Sequence, residues 1–274
     1  MKLALLISFI AIMIILLLVF IIKGLNNHLI ITKYDFHSDK IKNKIKIAFL
    51  SDLHGYEYGV KQKDLLMMIE KMKPDLIAFV GDIVDDKNPQ EPSYQLLQAA
   101  TKIAPCFYVS GNHEGYTFQL NKIKTAIAEL GVTVLSGEKK QLEISGDKIN
   151  ILGLDDPFDQ EEIFQKQLRQ LQTLSNPEFT LLLSHRPDLI PEYEKLDADL
   201  VLSGHAHGGQ FRLPHFKWVF FAPNQGFFPR YTTGFYQLKN KVLLVGRGLC
   251  PKTRKIPRFY NPPELIELTI LPKK

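Results

Sequence analysis

Five times along this chain, an apolar run of strand length ends in a residue able to bind a metal ion. "IAFLSDLHG" delivers Asp52 and His54, and "IAFVGDIVDD" delivers Asp82 with Asp85 and Asp86 close behind. "FYVSGNHEG" delivers Asn112, His113 and Glu114, "TLLLSHRPD" delivers His185, and "LVLSGHAHGG" delivers His205 and His207. Short, evenly apolar runs suit strands buried on both faces. In α/β sheets the ligand crevice lies beyond the carboxyl ends of such strands, so all five tips can converge on one place. Five of the eight histidines fall at these tips, leaving only His28, His37 and His215 elsewhere.

Amphipathic segments separate the runs. "VKQKDLLMMIEKMK" (60–73) places Leu65, Met68, Ile69 and Met72 on one helical face and stops at Pro74. Helices are also predicted at about 93–103, 118–130 and 160–173, with strands near 132–135, 141–145 and 149–153 and again across 234–271. The alternation predicts one α/β domain over 44–274, built from two packed mixed sheets covered by helices.

Residues 3–22 contain no charge and only Ser8 as a polar side chain. Twenty helical residues span roughly 30 Å, the thickness of a hydrocarbon core. A cleaved signal would have a shorter apolar region and a small-x-small site. Residues 1–23 are therefore expected to be a retained single-pass membrane anchor, followed by a linker over 24–43. The lysine count alone would keep the C-terminal side in the cytoplasm, yet long domains often translocate regardless of charge, so the sequence does not settle the side.

The formal charge is +5, of which Lys2 and Lys23 belong to the N-terminal segment, and no run of five basic residues occurs. A nucleic-acid partner is not indicated. The two cysteines, Cys106 and Cys250, make no disulfide framework and are expected to be buried thiols.

Imidazole with carboxylate or amide oxygen, and no thiolate, suits Zn, Mn, Fe or Ni. Asp52, Asp82 and Asn112 with His54, His185, His205 and His207 are too many for one tetrahedral ion. They suit two divalent ions about 3.5–4 Å apart sharing a carboxylate, an arrangement that clamps a phosphoryl group.

In order and spacing, Asp52-x-His54, Gly81-Asp82-x-x-Asp85, Gly111-Asn112-His113-Glu114, His185 and Gly204-His205-x-His207 resemble the signature of the calcineurin-like metallophosphoesterase superfamily. The later "GGQFRLP" and "GRGL…NPPELIELTI" resemble a membrane-associated bacterial branch of it. The resemblance implies a four-layer α/β/β/α sandwich and a dinuclear phosphoester hydrolase, in which a hydroxide shared by the ions attacks phosphorus in line. It implies that Asp52, His54 and His207 hold one ion, that Asn112, His185 and His205 hold the other, and that Asp82 bridges. His113 would contact the phosphate and help the leaving group, with Glu114 orienting its imidazole and Asp85 supporting a ligand from outside.

Arg186 and Arg247 are each equally placed, on sequence, to meet phosphate oxygens or to be ordinary surface arginines. The segment 214–231 carries Trp218, Phe220, Phe221, Phe227 and Phe228 among Lys217 and Arg230. It suits either a membrane interface or the core of the second sheet. With the anchor, this favours a membrane- or envelope-associated substrate, such as a lipid-linked pyrophosphate or a cell-wall phosphodiester. A membrane-tethered scaffold without turnover and a hydrolase of soluble nucleotide phosphoesters are the alternatives.

Overall fold

The computed structural model describes residues 2–273 apart from 159, 176, 215–218 and 254–255. Lys217 and Trp218 of the aromatic segment thus lie outside the described residues.

The chain opens with helix α1 (Lys2–Gly24) and continues through β1 (Ile30–Ser38), β2 (Ile45–Leu50), α2 (Lys63–Met72), β3 (Leu76–Val80), α3 (Glu91–Ala100) and β4 (Cys106–Val109). Next come α4 (Asn112–Tyr116), α5 (Leu120–Glu129), β5 (Thr133–Val134), β6 (Glu138–Ile144), β7 (Asp147–Leu154), α6 (Glu161–Gln172), β8 (Phe179–Ser184), α7 (Ile190–Tyr193) and β9 (Leu200–Ser203). The last part holds two small hairpins, β10 (Phe221–Ala222) with β11 (Gly226–Phe227) and β14 (Lys252–Thr253) with β15 (Ile256–Pro257). Around them run β12 (Gly234–Gln237), β13 (Val242–Val245) and β16 (Glu264–Pro272).

Two six-stranded sheets result, ordered β1-β16-β2-β3-β4-β5 and β12-β13-β9-β8-β7-β6. Both are mixed. β2 to β5 run parallel and β16 is antiparallel to β2, while β7, β8, β9 and β13 run parallel between antiparallel edges β6 and β12.

The period-2 geometry of each central strand feeds two apolar layers at once. Ile47, Phe49, Ala78, Val80, Leu181, Leu183 and Leu202 point between the sheets and form one buried cluster. Their neighbours Ala48, Leu50, Ile77 and Phe79 pack outward against Leu65 and Ile69 of α2 and Leu96 and Leu97 of α3. On the other side, Leu182, Val201 and Leu243 pack against Phe164, Leu168 and Leu171 of α6. The four-layer sandwich expected from the sequence is present.

One boundary needs correcting. The stretch 24–43 is not a linker throughout, because residues 30–38 form β1, paired in parallel with β16 from Ile30↔Glu264 to Ser38↔Pro272. Its alternating "IITKYDFHS" is half apolar and buries only one side, so it lacks the continuous apolar run that marks the central strands. The catalytic domain therefore takes in residues assigned to the linker.

Residues 2–23 are all exposed, and the 23-residue helix is long and apolar enough to cross a membrane. The described phenylalanines of the 214–231 segment are not core: Phe220, Phe221, Phe227 and Phe228 are exposed, while Val219 and Ala222 are buried and Tyr231 packs against the outer core of the second sheet.

Candidate metal centre

The five strand tips do converge. Asp52 lies two residues beyond β2, Asp82 two beyond β3, Asn112 opens α4 just past β4, His185 follows β8 directly, and His205 lies two beyond β9. All seven anticipated ligand residues are buried. The ligand atoms of Asp52, His54 and His207 lie within 4.8 Å of one another, as do those of Asp82, His185 and His205.

Asp82 joins the two sets. Its Oδ2 is 3.1 Å from His185 Nε2 and 3.8 Å from His54 Nε2. Within each set, imidazole nitrogens confront one another: His54 Nε2 and His207 Nε2 at 3.4 Å, His205 Nδ1 and His185 Nε2 at 3.2 Å.

Three of these rings have their other nitrogen committed. His54 Nδ1 donates to Asp85 Oδ1 at 2.8 Å, His185 Nδ1 to the Val80 carbonyl at 2.9 Å, and His205 Nε2 to Asn224 Oδ1 at 2.6 Å. Each bond fixes the tautomer and leaves a lone pair on the nitrogen facing the cluster. Asp52 Oδ2 and Asn112 Oδ1 are buried and make no hydrogen bond. Lone pairs facing lone pairs, with orphaned carboxylate and amide oxygens beside them, are what a pair of divalent cations would satisfy. The residues fit the metal.

Electrostatics agree. Burial disfavours charge on Asp82, yet the His185 imidazole beside it, with His113 and His54, holds its carboxyl well below the usual range. Burial likewise opposes a charged His185, but Asp82 and Asp52 push it up to about 10, so a positive charge, either a proton on Nε2 or a metal ion that replaces it and takes the lone pair, is favoured between that nitrogen and Asp82. Burial and the neighbouring His185 bring His205 down to about 4, and burial with His54 lowers His207. Both imidazoles are thereby kept in the neutral form that a metal ligand needs.

The site is built on unusual backbone. Asp52, His54, Asp82, His205 and His207 all adopt positive φ, between 47° and 65°. Non-glycine residues in this region cost about 1–3 kcal/mol each and persist where surrounding structure enforces them. Here the enforcement is visible: the His54 amide donates to the Asp82 carbonyl at 2.9 Å, and the His205 amide donates to Asp52 Oδ1 at 2.9 Å. Two glycines permit the close approach. A Cβ on Gly111 would run into the Asp82 carboxylate, and one on Gly204 into the Asp52 carboxylate.

Glu114 does not orient His113, contrary to expectation. Its Oε1 accepts the amides of Ile83 and Val84, both at 2.8 Å, and its Oε2 accepts those of Asp82 at 2.9 Å and Gly111 at 2.8 Å. It clamps the loop that carries Asp82. His113 is instead held through Nδ1, 2.7 Å from Asp86 Oδ1 and 3.0 Å from Asp85 Oδ1. Burial opposes its charge, but those carboxylates and Asp82 push its pKa up to about 9. The i, i+1 spacing of His113 and Glu114 suggested a pair, whereas consecutive residues of a helix point in different directions.

Both arginines left open by the sequence are committed to carboxylates. Arg186 makes a two-point pair with Asp156 at 2.7 and 2.9 Å, and Arg247 meets Glu264 at 2.7 Å. Three supporting residues were not anticipated at all. Arg258 is fully buried and donates to the carbonyls of Cys250 at 2.8 Å, Arg247 at 2.7 Å and His207 at 3.3 Å. Asn261 also holds the His207 carbonyl, at 2.7 Å, and Asn224 tethers His205. Arg258 lies in no quoted motif, and Asn224 in the aromatic segment and Asn261 at the start of "NPPELIELTI" carry no role on sequence, since each acts through folding back onto a loop distant in sequence.

Paired imidazole and carboxylate sets over the parallel strand tips of a two-sheet sandwich belong to one class of hydrolase, the metal-dependent phosphoesterases. Residues 45–209 match the family model of the calcineurin-like phosphoesterases, and the chain belongs to that family. An uncharacterized metallophosphoesterase of Bacillus subtilis (strain 168), YkuE, is 32% identical over 233 residues, covering 82% of this chain and 78% of that protein. An uncharacterized metallophosphoesterase of Aquifex aeolicus is 30% identical over 254 residues, covering 88% and 91%. Among solved structures, TT1561 of Thermus thermophilus shares the fold with a TM-score of 0.50 at 12% identity, covering 75% of this chain and 90% of its own.

Proposed function

We propose that this phosphoesterase is dinuclear and membrane-anchored, and that it hydrolyses a membrane- or envelope-associated phosphodiester or pyrophosphate. The observation that carries the dinuclear reading is the position of Asp82 Oδ2, within 3.1 Å of His185 Nε2 in one set and 3.8 Å of His54 Nε2 in the other. Asp52, His54 and His207 would hold one ion, Asn112, His185 and His205 the second, with Asp82 shared.

Two divalent ions held there would supply Lewis acidity to the phosphoryl oxygens and to the attacking water. The chain's own residues do the rest. Asp85, the Val80 carbonyl and Asn224 lock His54, His185 and His205 in the ligating tautomer. His113, held at Nδ1 by Asp85 and Asp86, has Nε2 left to hand a proton to the departing oxygen. Glu114 keeps the Asp82 loop in its strained shape. Localisation at a membrane is supported by α1, a 23-residue apolar helix with none of residues 2–23 buried.

The test is metal content and turnover of the full chain, stripped and reloaded with Mn, Zn, Fe or Ni, on a chromogenic phosphodiester and a monoester. Two ions per chain, with turnover lost in Asp82→Asn, is the expected result. One ion per chain, or full activity in Asp82→Asn, overturns the dinuclear reading.

A further inference from the structure

An aromatic path leads from the end of α1 to the hairpin that touches the metal centre. The Phe20 ring, one turn before the end of α1, lies 5.7 Å from Phe259 and 4.9 Å from Tyr260. Phe259 stacks on Phe211 at 5.8 Å, Phe211 meets Phe220 at 6.5 Å, and Phe220 meets Phe227 at 5.3 Å. Backbone bonds brace the path: the Tyr260 amide donates to Gly24 at 2.7 Å, Arg212 to Phe259 at 2.9 Å, and Phe220 to Phe211 at 3.2 Å.

Despite this bracing, the outer rings face water in the isolated chain. Phe220 is 54% exposed, Phe227 65% and Phe228 71%. Scattered exposed phenylalanines need no explanation, but a contiguous apolar patch marks an interaction surface. Lys23, in the last turn of α1, and Arg230, two residues after Phe228, are exposed and basic. Aromatic and basic side chains together suit the headgroup level of a bilayer, where rings sit at the acyl boundary and cations meet lipid phosphates.

We infer that this patch docks on the bilayer surface beside the point where α1 leaves it. The inference rests on the reading that α1 is inserted in a membrane. If α1 crosses the hydrocarbon, Phe20 and Gly24 lie at its boundary, the Phe259 and Tyr260 rings that meet Phe20 edge-on and tilted lie beside it, and the ring contacts through Phe211 and Phe220 extend from there to Phe227. The partner is then the lipid surface itself. Docking there holds the β10–β11 hairpin, and with it Asn224 against His205, next to the headgroup layer.

The test places nitroxide labels on the full chain in phosphatidylcholine vesicles containing phosphatidylglycerol. Cys106 and Cys250 are buried, so introduced thiols take the label. Phe227→Cys and Phe220→Cys probe the patch, and Ile12→Cys probes the middle of α1. Glu143→Cys serves as the aqueous control, on an edge strand at the end of the sheet away from the metal centre. Patch labels that collide with dissolved oxygen and lose collisions with an aqueous nickel chelate, at a depth between those of Ile12→Cys and Glu143→Cys, are the expected result. Patch labels as open to nickel as Glu143→Cys, with Ile12→Cys buried in acyl chains, overturn the docking while leaving the anchor intact. An Ile12→Cys label open to nickel overturns the anchor, and the docking falls with it.

Discussion

The Asp85 Oδ1 atom receives two imidazoles at once, His54 Nδ1 at 2.8 Å and His113 Nδ1 at 3.0 Å. The far nitrogen of His54 faces His207 Nε2 at 3.4 Å within the imidazole–carboxylate cluster, and in the proposed reading that of His113 would face the substrate. Asp85 Oδ2 in turn accepts the amides of Lys87 at 3.0 Å and Asn88 at 2.8 Å, which fixes the carboxylate. A single carboxylate thus couples the alignment of the proposed ligand His54 to that of the proposed proton donor His113.

Asp85→Asn keeps the shape and removes the charge. Losing such a partner of a ligating histidine lowers metal affinity by about 10–100-fold. Chelator competition on the full chain should show that loss, with a fall in kcat for the metal-saturated variant because His113 is loosened as well. Unchanged metal affinity would separate Asp85 from the site.

Glu114→Gln tests the clamp. The carboxylate accepts four backbone amides, and a glutamine offers only one oxygen to the two pairs. Two buried N–H groups lose their acceptor, which costs about 2–4 kcal/mol. Urea unfolding in detergent should report that loss. A variant of unchanged stability with abolished turnover would return Glu114 to a direct part in catalysis.

Arg258→Met keeps the volume and removes the donors. Burial lowers the guanidinium pKa to about 10, still well above neutral, so the wild-type group is charged and binds its carbonyls as a cation. The Cys250 and Arg247 carbonyls lose bonds of 2.8 and 2.7 Å, at a cost of about 2–3 kcal/mol. The same change frees the His207 loop, so metal affinity should drop with stability. A drop in stability alone would confine Arg258 to the fold.

Burial pushes the Cys106 thiol up to about 12. At pH 8 the group is protonated, and the thiolate that attacks disulfide reagents is scarce. Cys106 in the native protein should therefore resist an aromatic disulfide at pH 8 and react once the chain unfolds. Rapid reaction of Cys106 in the native state would show that the outer face of β4 opens.

Much of the site was legible because parallel strands buried on both faces must be apolar throughout, so a polar residue at their end stands out. Asp52, Asp82, Asn112, His185 and His205 are each found this way, and α1 stands out by length and uniformity. β1 escaped because a half-buried strand mixes polar and apolar residues, as Lys33, Asp35 and His37 do between Ile31, Tyr34 and Phe36.

What the amino-acid sequence determined alone is the set of candidate ligands at the strand tips, the layered α/β architecture and the apolar N-terminal helix, since apolar runs and their polar ends are local features. What only the tertiary structure decided is how those ligands are held. The pairing of His113 with Asp86, the grip of Glu114 on the Asp82 loop, the tethers from Asn224 and Arg258, and the aromatic path from Phe20 to Phe227 all join distant parts of the backbone. His205 and Asp52, whose bond links the two sheets, are 153 residues apart. Local propensity carries no information about such contacts, because they exist only once the two sheets have packed and the strained loops at their tips are pressed together.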